Sequence, residues 1–463
     1  MLAQLLPPRW RPELVGLVAL AILTRLTAVT TPVSVVFDEV YFKNFAGHYL
    51  DGRYFFDIHP PLGKLLLAGW AKLLGLGAGS LLDTPAVTLR FLPALAGIAI
   101  IPLFWAILRR FGVSRPFAFL GAAALLFDNA LLVESRFILI DAFLMLFGLG
   151  ALYAYQRARA ANGRAHWLWL ALAALSAGAA ASTKWTGLTA LALVVGFWLY
   201  DTWRHRPHLG RVAAHAAIWF VLPVSLYLSA FWLHFQLLPA SGDGDAFMSI
   251  RFQQTLQGSQ YYVAGSHMSY WDKLIDVNRE MYNSNKRLTA THPYGSRWYT
   301  WPLEQRPVYY WQGAALPDGR QGNIYLLGNP IVWWGIVVAA LSGLLVALQR
   351  GRRLRPATRL ALVVTASAYL MNFLPFVAVT RVMFLYHYFF SFIFSLAVVI
   401  LVWNDLATDH AGHHPLSTRS QRWWFGGVLA VIVIAFVFFA PLSYGTLLSP
   451  AGLQARIWLP SWR

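Results

Sequence analysis

The chain has 463 residues, of which 58% are hydrophobic and only 12% are charged, and its formal net charge is +18. Soluble domains carry about 25% charged residues, so this chain cannot cover a water-facing surface of its size. Its arginines punctuate apolar runs, as topology signals and headgroup contacts do, so the expected partners include membrane lipids and exclude nucleic acid. There is no cysteine, which excludes disulfides and thiolate metal sites.

Repeated apolar runs dominate the chain. A run of about 20 apolar residues can cross a bilayer as a helix. The sequence predicts spans near residues 13–31, 88–108, 116–133, 137–155, 167–182, 186–201, 212–235, 328–348, 358–379, 383–403 and 423–440. We therefore expect an all-α polytopic membrane protein with about eleven transmembrane helices.

Arginine clusters orient these spans. Dense clusters lie within residues 109–115, 157–164, 204–211 and 350–355, and all fall on one side if the N-terminus is cytoplasmic. The long segments 32–87 and 236–327 then lie outside. We divide the chain into an N-terminal membrane region (1–240) that contains the loop 32–87, an outside loop (241–327) and a C-terminal membrane region (328–463). The expected location is the cell membrane, with the working site on the extracytoplasmic side.

Two outside segments have distinctive compositions. Residues 60–78 are apolar but include two lysines and several glycines, which predicts an interfacial helix along the membrane surface. Residues 241–327 are rich in Tyr, Trp, Asn, Ser and Gly. They predict an ordered polar loop with short helices.

The first outside loop carries an acidic pair, Asp38-Glu39, in aromatic company. Such a pair is a candidate catalytic group; the ordinary alternative is an exposed loop or a helix N-cap. Further along, Asp57, His59 and Lys64 surround two prolines that start a helix. For His59 the ordinary alternative is a structural cap.

Several charges fall where a bilayer disfavours them. A charge at the bilayer centre costs about 2.5–3.5 kcal/mol on insertion scales, so it needs a partner or a function. Cations that converge at the outer helix ends suit a phosphate group; alternatively, each anchors to lipid headgroups, and Arg25 snorkels. The charged and polar residues at these positions are Arg25, Glu134, Arg136, Asp141, Lys184, Arg381 and His387.

Other chemistries lack their motifs. The chain has no Walker A sequence, no G-x-S-x-G elbow and no H-E-x-x-H zinc helix. His410, His413 and His414 form a small cluster in a polar loop. We interpret them as solvated rather than as metal ligands.

Motifs along nearly the whole chain resemble the protein O-mannosyltransferases of the GT-C superfamily. In the first half these are Phe37-Asp38-Glu39, residues 54–64 (YFFDIHPPLGK), Asp128-Asn129, residues 135–139 (SRFIL) and residues 184–187 (KWTG). In the second half they are residues 292–296 (HPYGS), Trp301-Pro302-Leu303, Gly328-Asn329-Pro330 and Tyr386-His387-Tyr388. The loop 241–327 is too short for the β-trefoil domain of eukaryotic members, so the chain resembles a prokaryotic-type member.

The resemblance implies a GT-C fold of eleven helices and a donor, mannose on a polyprenyl or dolichyl phosphate. It implies a Ser or Thr hydroxyl of a secreted protein as acceptor, which makes the Sec translocon an expected partner. A single displacement at the anomeric carbon would invert its configuration.

We hypothesise that Asp38 is the base for the acceptor hydroxyl. Glu39 would orient its neighbours or bind acceptor, and the two roles could be exchanged. Arg136, with Arg25, Lys184 or Arg381, would hold the carrier phosphate. The supporting residues would be Asp57, His59, Lys64, Glu134, Asp141 and His387. We expect no metal; the alternative is a Mg²⁺ or Mn²⁺ ion bound with the help of the acidic pair.

Rival functions remain open at this point. A transferase of the same fold could move another sugar, such as aminoarabinose or galactose, or use a lipid acceptor. A transporter or flippase of lipid-linked sugar would also have intramembrane charges, but transporters usually show repeat symmetry and helices broken near the midplane. Here the polar residues collect at one side's helix ends, which favours an enzyme over a transporter. A non-catalytic subunit is disfavoured because Asp38 and Arg136 are present.

Overall fold

The computed structural model describes residues 12–77, 79, 85–349, 354–408, 416 and 418–463. The histidines of residues 410–414 lie outside them. In the N-terminal half the helices are α1 (Pro12–Leu26), α2 (Glu39–Asp51), α3 (Leu62–Leu73), α4 (Val87–Arg110), α5 (Arg115–Leu126), α6 (Asn129–Arg136), α7 (Asp141–Ala160), α8 (Gly163–Thr183), α9 (Leu188–His205) and α10 (Leu209–Leu237). The others are α11 (Ile250–Gln253), α12 (Tyr270–Arg287), α13 (Pro330–Gln349), α14 (Pro356–Phe373), α15 (Phe389–Ala407), α16 (Arg419–Tyr444) and α17 (Pro450–Gln454).

Each predicted span coincides with one of these helices or, for residues 116–133, with the pair α5–α6, which is bent by 59°. By length and hydropathy, six of the described helices could cross a membrane, or seven if the bent pair is one span. Helix α1 is not among them because it has only 15 residues. Helix α7 is not among them because the charged residues at its ends lower its hydropathy. The fold is thus polytopic, while the number of eleven crossings stays a prediction.

The expectation of an all-α protein is wrong in one part of the chain. Strands β1 (Val308–Gln312), β2 (Gln321–Leu326) and β3 (Leu447–Leu448) form an antiparallel sheet in the order β1-β2-β3. The reason is local: residues 308–311 (VYYW) are β-branched and aromatic, which favours a strand, and Asp318-Gly319 favours a turn. The sheet packs against α6 and α16.

The predicted helix of residues 60–78 is present as α3, which begins directly after Pro60-Pro61. It packs against α2, α4 and α8. Gly63 allows α3 to lie close to Ile140, because a Cβ atom at residue 63 would lie 2.8 Å from the Ile140 side chain. The helix is therefore fixed to the bundle, and its position along a membrane surface stays a prediction.

Two motifs join the membrane regions. The fully buried Asp128 carboxylate accepts hydrogen bonds from Leu131 N, from Asn329 N at 3.0 Å and from Trp333 Nε1 at 2.7 Å. The Asn329 amide donates to the carbonyl oxygens of Phe127 and Ile432. These bonds tie the α5–α6 bend to α13 and α16, so both motifs are structural.

Candidate active site

The loop before α2 holds Asp38 in place through its neighbour Phe37. Phe37 has φ +50°, a left-handed conformation that costs a non-glycine residue energy and persists where packing enforces it. Its ring stacks on Tyr310 at 4.2 Å between centroids and meets Phe384 edge-on at 6.4 Å. The β1 strand and the C-terminal region thus both define the position of Asp38.

Glu39 is an anchor of this loop. It is fully buried, and its carboxylate pairs with the buried Arg90 through two hydrogen bonds of 2.7 Å. It also accepts from Val36 N at 2.7 Å and Ile138 N at 2.9 Å. With four donors on its two oxygens, Glu39 has no free lone pair directed at a substrate, and its orienting role is the one that fits this geometry.

Sequence reasoning missed Arg90. Besides Glu39, its guanidinium donates to the carbonyl oxygens of Val29, Pro32 and Ser34. The Arg90 side chain therefore holds residues 29–39 against α4. The signal was available, because Arg90 is a charge inside a predicted span, as Arg25 is.

Asp38 has a different environment. It occupies the N-cap position of α2, yet its side chain makes no cap bond, and no hydrogen bond to its carboxylate is found among the described residues. It is half-buried. Burial raises the pKa of Asp38 to about 6, Lys184 opposes this rise, and Asp141 and Asp57 add to it. The result is an unpaired carboxylate that can take up a proton near neutral pH.

Lys184 stands between α8 and α9, in the break that the sequence indicated. Its ammonium lies 3.1 and 3.2 Å from the two carboxylate oxygens of Asp141 and 5.3 Å from the centre of the Tyr386 ring. The turn that follows needs Gly187, where a Cβ atom would lie 2.2 Å from the Ala180 backbone. Packing therefore fixes the lysine beside Asp38.

A cavity of about 380 Å³ opens beside Lys184. The first loop, the α8–α9 break, α12 and the segment before α15 all contribute to it. Its charged and polar lining includes His59, Lys184, Thr186, Asn285, Lys286, Thr380, Arg381 and His387. Among the described residues, three cations and no carboxylate line this cavity, so it suits an anion. Lys286 was not identified in the sequence, because it belongs to an ordinary polar helix.

The other predicted residues of the first loop support this wall. Lys64 is buried, forms an ion pair with Asp57 and donates to the His59 carbonyl oxygen at 2.6 Å. Burial, with help from Lys184, Lys64 and Arg381, holds the pKa of His59 well below its ordinary value. His59 is therefore a neutral hydrogen-bonding group in the cavity. It does not cap α3, whose N-cap is Pro61.

Glu134 and His387 have structural partners as well. Tyr310 donates its hydroxyl to the buried Glu134 at 2.8 Å, so Glu134 holds the ring on which Phe37 stacks. The Nδ1 atom of His387 lies 3.2 Å from the Phe384 nitrogen, which orients an imidazole that lines the cavity.

Arg25 and Arg136 lie elsewhere. Arg25 donates to Thr24 Oγ1 at 2.9 Å and to the Leu126 carbonyl oxygen at 2.8 Å. Arg136 donates to the carbonyl oxygens of Ser443, Thr27 and Ala28 at 2.8, 3.1 and 2.5 Å. Both are buried and do not line the cavity. Their guanidiniums stabilise the ends of α1, α5 and α16.

A metal site was the alternative for the acidic pair. Among the described residues, no group of three or more His, Asp or Glu side chains could hold a metal ion. Both carboxylate oxygens of Glu39 already accept hydrogen bonds, from Arg90 and from two backbone N–H groups. The donor set at Asp38 therefore does not fit the Mg²⁺ or Mn²⁺ alternative.

Family models cover most of the chain. Residues 15–239 match the family described as dolichyl-phosphate-mannose-protein mannosyltransferase. Residues 270–462 match the C-terminal four TMM region of protein O-mannosyltransferase.

Similar curated proteins are also named as protein mannosyltransferases. A dolichyl-phosphate-mannose–protein mannosyltransferase 4 of Candida albicans is 34% identical over 60% of this chain and 40% of its own length. The Schizosaccharomyces pombe protein of that name is 31% identical over 72% and 44%, and a protein O-mannosyltransferase 1 of Drosophila pseudoobscura is 35% identical over 68% and 36%. The chain thus spans less than half the length of these relatives.

Solved structures agree on the fold. One chain of a protein O-mannosyltransferase complex of Saccharomyces cerevisiae, Pmt1-Pmt2 bound to the sugar donor, superposes with a TM-score of 0.87 over 97% of this chain and 92% of its own length, at 21% identity. ArnT from Cupriavidus metallidurans, bound to undecaprenyl phosphate, gives 0.52 over 92% and 70%, at 17% identity. The fold is that of the GT-C membrane glycosyltransferases. Within that class, the chain belongs to the protein O-mannosyltransferase family.

Proposed function

We propose that this protein transfers mannose from a polyprenyl or dolichyl phosphate to Ser or Thr hydroxyls of secreted proteins, with inversion at the anomeric carbon. One observation carries the proposal. Asp38 has a carboxylate without a hydrogen-bond partner among the described residues, and it interacts electrostatically with Lys184, which lines the cation-rich cavity. Relatives named for this reaction support the choice of sugar and acceptor.

The cavity would bind the carrier phosphate. Lys184 is already paired with Asp141, whereas Lys286 and Arg381 have no carboxylate partner among the described residues. We therefore propose that Lys286 and Arg381 bind the phosphate and that Lys184 lies on the side of the phosphate that carries the sugar. As the bond between the anomeric carbon and the phosphate oxygen breaks, negative charge grows on that oxygen, and fixed cations stabilise it without a proton donor.

Asp38 would accept the proton of the acceptor hydroxyl. A neutral hydroxyl is a weak nucleophile, so removal of its proton assists attack on the anomeric carbon. The bond from the hydroxyl oxygen to that carbon forms as the phosphate leaves from the opposite face, and the proton passes to Asp38. The Glu39–Arg90 pair would fix the loop during this step.

The charge pattern supports the proposed side of the membrane. The arginine clusters within residues 109–115, 157–164 and 204–211 lie at the ends of the helices away from Asp38, which supports a cytoplasmic position for those ends and an extracytoplasmic site in the cell membrane. Eleven crossings fit the coincidence of the predicted spans with helices. The Sec translocon remains a predicted partner, because the acceptor class alone suggests it.

The proposed reaction needs no metal ion, since the cations of the cavity serve the leaving phosphate. The test is an assay with purified protein, polyprenyl phosphate mannose and a Ser/Thr-rich peptide, read by mass spectrometry, with and without chelator. We expect one hexose on a peptide hydroxyl in both conditions. Transfer to lipid, use of another sugar, or movement of donor across vesicles without transfer would each contradict the proposal, and loss of transfer in chelator with rescue by Mn²⁺ would contradict its metal-free form.

The pH dependence follows from the pKa of Asp38. Only the ionised carboxylate accepts a proton, and burial raises its pKa to about 6, so kcat/KM is expected to decline as pH falls through about 6. Below that point the decline should approach about tenfold per pH unit. Initial rates with peptide well below its KM test this, because they report kcat/KM. A profile that stays flat from about pH 5 to pH 8 would place the base elsewhere.

Neutralising the cavity should weaken use of the donor. For Arg381→Gln and for Lys286→Gln, we expect kcat/KM for the donor to fall about tenfold or more, the effect of losing one hydrogen bond to a charged group. The matched control is Lys72→Gln, which removes an exposed lysine at the end of α3. Equal losses in the control and in the cavity variants would show a general effect of surface charge and refute the assignment.

A further inference from the structure

A second polar cavity lies at the other end of the helices. Helix α7 begins at Asp141, beside Lys184, and ends at Ala160, in the wall of this second cavity. The cavity has a volume of about 490 Å³, within the range of small-ligand sites. The ends of α4, α7, α8, α9 and α10 enclose it.

Three arginines line this cavity, but they differ in how their charge is used. Arg159 pairs with Asp201 through hydrogen bonds of 2.6 and 2.9 Å, and Tyr155 donates to the same carboxylate at 2.8 Å. For Arg110 and Arg211 the described part of the chain offers no carboxylate partner. Two uncompensated guanidiniums therefore face one space, and their fork of N–H donors matches phosphate oxygens.

Two of the three histidines in the wall, His166 and His215, are satisfied without a ligand. His166 Nδ1 lies 2.8 Å from the Ala158 carbonyl oxygen, which can only accept, so this nitrogen donates. Trp198 Nε1 donates to His215 Nδ1 at 3.0 Å, so His215 Nε2 carries the proton that it donates to His166 Nε2 at 3.0 Å. Both rings are thus neutral and hold the shape of the cavity rather than a metal or an anion.

Gln156 gives a second, independent indication of a ligand. This lining residue is only 6% exposed, and within the described part of the chain neither its amide nitrogen nor its amide oxygen has a hydrogen-bond partner. A buried amide without partners costs about 1–3 kcal/mol. Such groups are uncommon, and a polar ligand in the cavity would supply the missing partner.

We propose that this cavity binds a phosphate group, at the opposite end of the bundle from Asp38. Its source is the headgroup of an anionic phospholipid in the adjacent leaflet or free phosphate in solution. The arginines Arg110 and Arg211 hold the phosphate oxygens, and Gln156 bonds the ligand from the wall. The cavity is separate from the transfer site, so the proposal does not depend on the transferase activity.

The experiment uses the full-length protein in nanodiscs and has two arms. In the first, native mass spectrometry measures phosphatidylglycerol retained from an equal mixture with phosphatidylcholine. In the second, inorganic phosphate is added to phosphatidylcholine nanodiscs at constant ionic strength, and the unfolding temperature is measured. The test variant is Arg110→Gln/Arg211→Gln. The matched control is Arg204→Gln/Arg206→Gln, which removes two exposed arginines at the same end that do not line the cavity.

Wild type and control are expected to retain phosphatidylglycerol or to be stabilised by phosphate, and the test variant to lose about tenfold or more in that binding. Selective lipid retention identifies the headgroup, and a phosphate shift alone identifies the free ion. Gln156→Leu should weaken binding without lowering the unfolding temperature, because it removes an amide that has no hydrogen-bond partner among the described residues. No binding by wild type, or equal losses in test and control variants, would overturn the proposal.

Discussion

Replacing Asp38 with asparagine is expected to lower kcat for sugar transfer by about 10²–10⁴-fold, the contribution of a positioned general base. The substitution keeps the shape of the side chain and removes its ability to accept a proton. Since no described residue hydrogen-bonds to the Asp38 carboxylate, the change should leave the fold intact. Turnover of a Ser/Thr-rich peptide, with the unfolding temperature measured beside it, is the test.

Two comparisons make this result specific to Asp38. Asp51→Asn, at the exposed end of the same helix, removes an equal charge and should retain full activity. Any residual activity of Asp38→Asn should lose its dependence on pH near 6, because the group with that pKa is gone. Full activity of Asp38→Asn would disprove the assignment of the base, even if the protein still transferred mannose.

The second large effect concerns stability. Arg90→Met is expected to destabilise the protein by about 3–5 kcal/mol, because it leaves the charge of Glu39 buried without its partner. Both side chains are fully buried, so water cannot replace the lost contacts. The measurement is unfolding of the purified protein in detergent, together with the yield of monodisperse protein.

A double substitution separates the pair from the loop that it holds. Arg90→Met/Glu39→Gln removes both charges and should recover part of the stability, while the single variant does not. Arg115→Gln is the matched control: its ion pair with Glu13 is partly exposed, and such pairs contribute about 0–1 kcal/mol. If Arg90→Met were as stable as this control, the loop would not depend on the buried pair.

Sequence reasoning named part of the candidate site. It identified Asp38, Lys184 and Arg381, which the structure brings to one end of the bundle. It also grouped Arg25 and Arg136 with them. A sequence shows how deep a cation lies in a helix, but not the direction of its side chain, and both guanidiniums turn to backbone carbonyl oxygens instead.

Sequence reasoning did not identify Arg90, Lys286 or Tyr310, and the reasons are related. Arg90 lies 51 positions from Glu39, and no motif connects the two. Lys286 is one of several charges on the polar helix α12. Tyr310 belongs to a strand in a segment for which short helices were expected. Each acquires its role from a contact between distant parts of the chain.

The sequence by itself determined that this protein lies in a membrane, where its helices run and which family it resembles. Those properties depend on local composition, on the spacing of apolar residues and on motifs read in order. The tertiary structure decided which charges are used up and which are free. The Glu39 carboxylate forms a buried ion pair with Arg90, while the carboxylate of Asp38, one residue earlier, has no hydrogen-bond partner among the described residues. That difference arises because the two side chains point to opposite environments, one into packed protein and one beside the cations of a cavity.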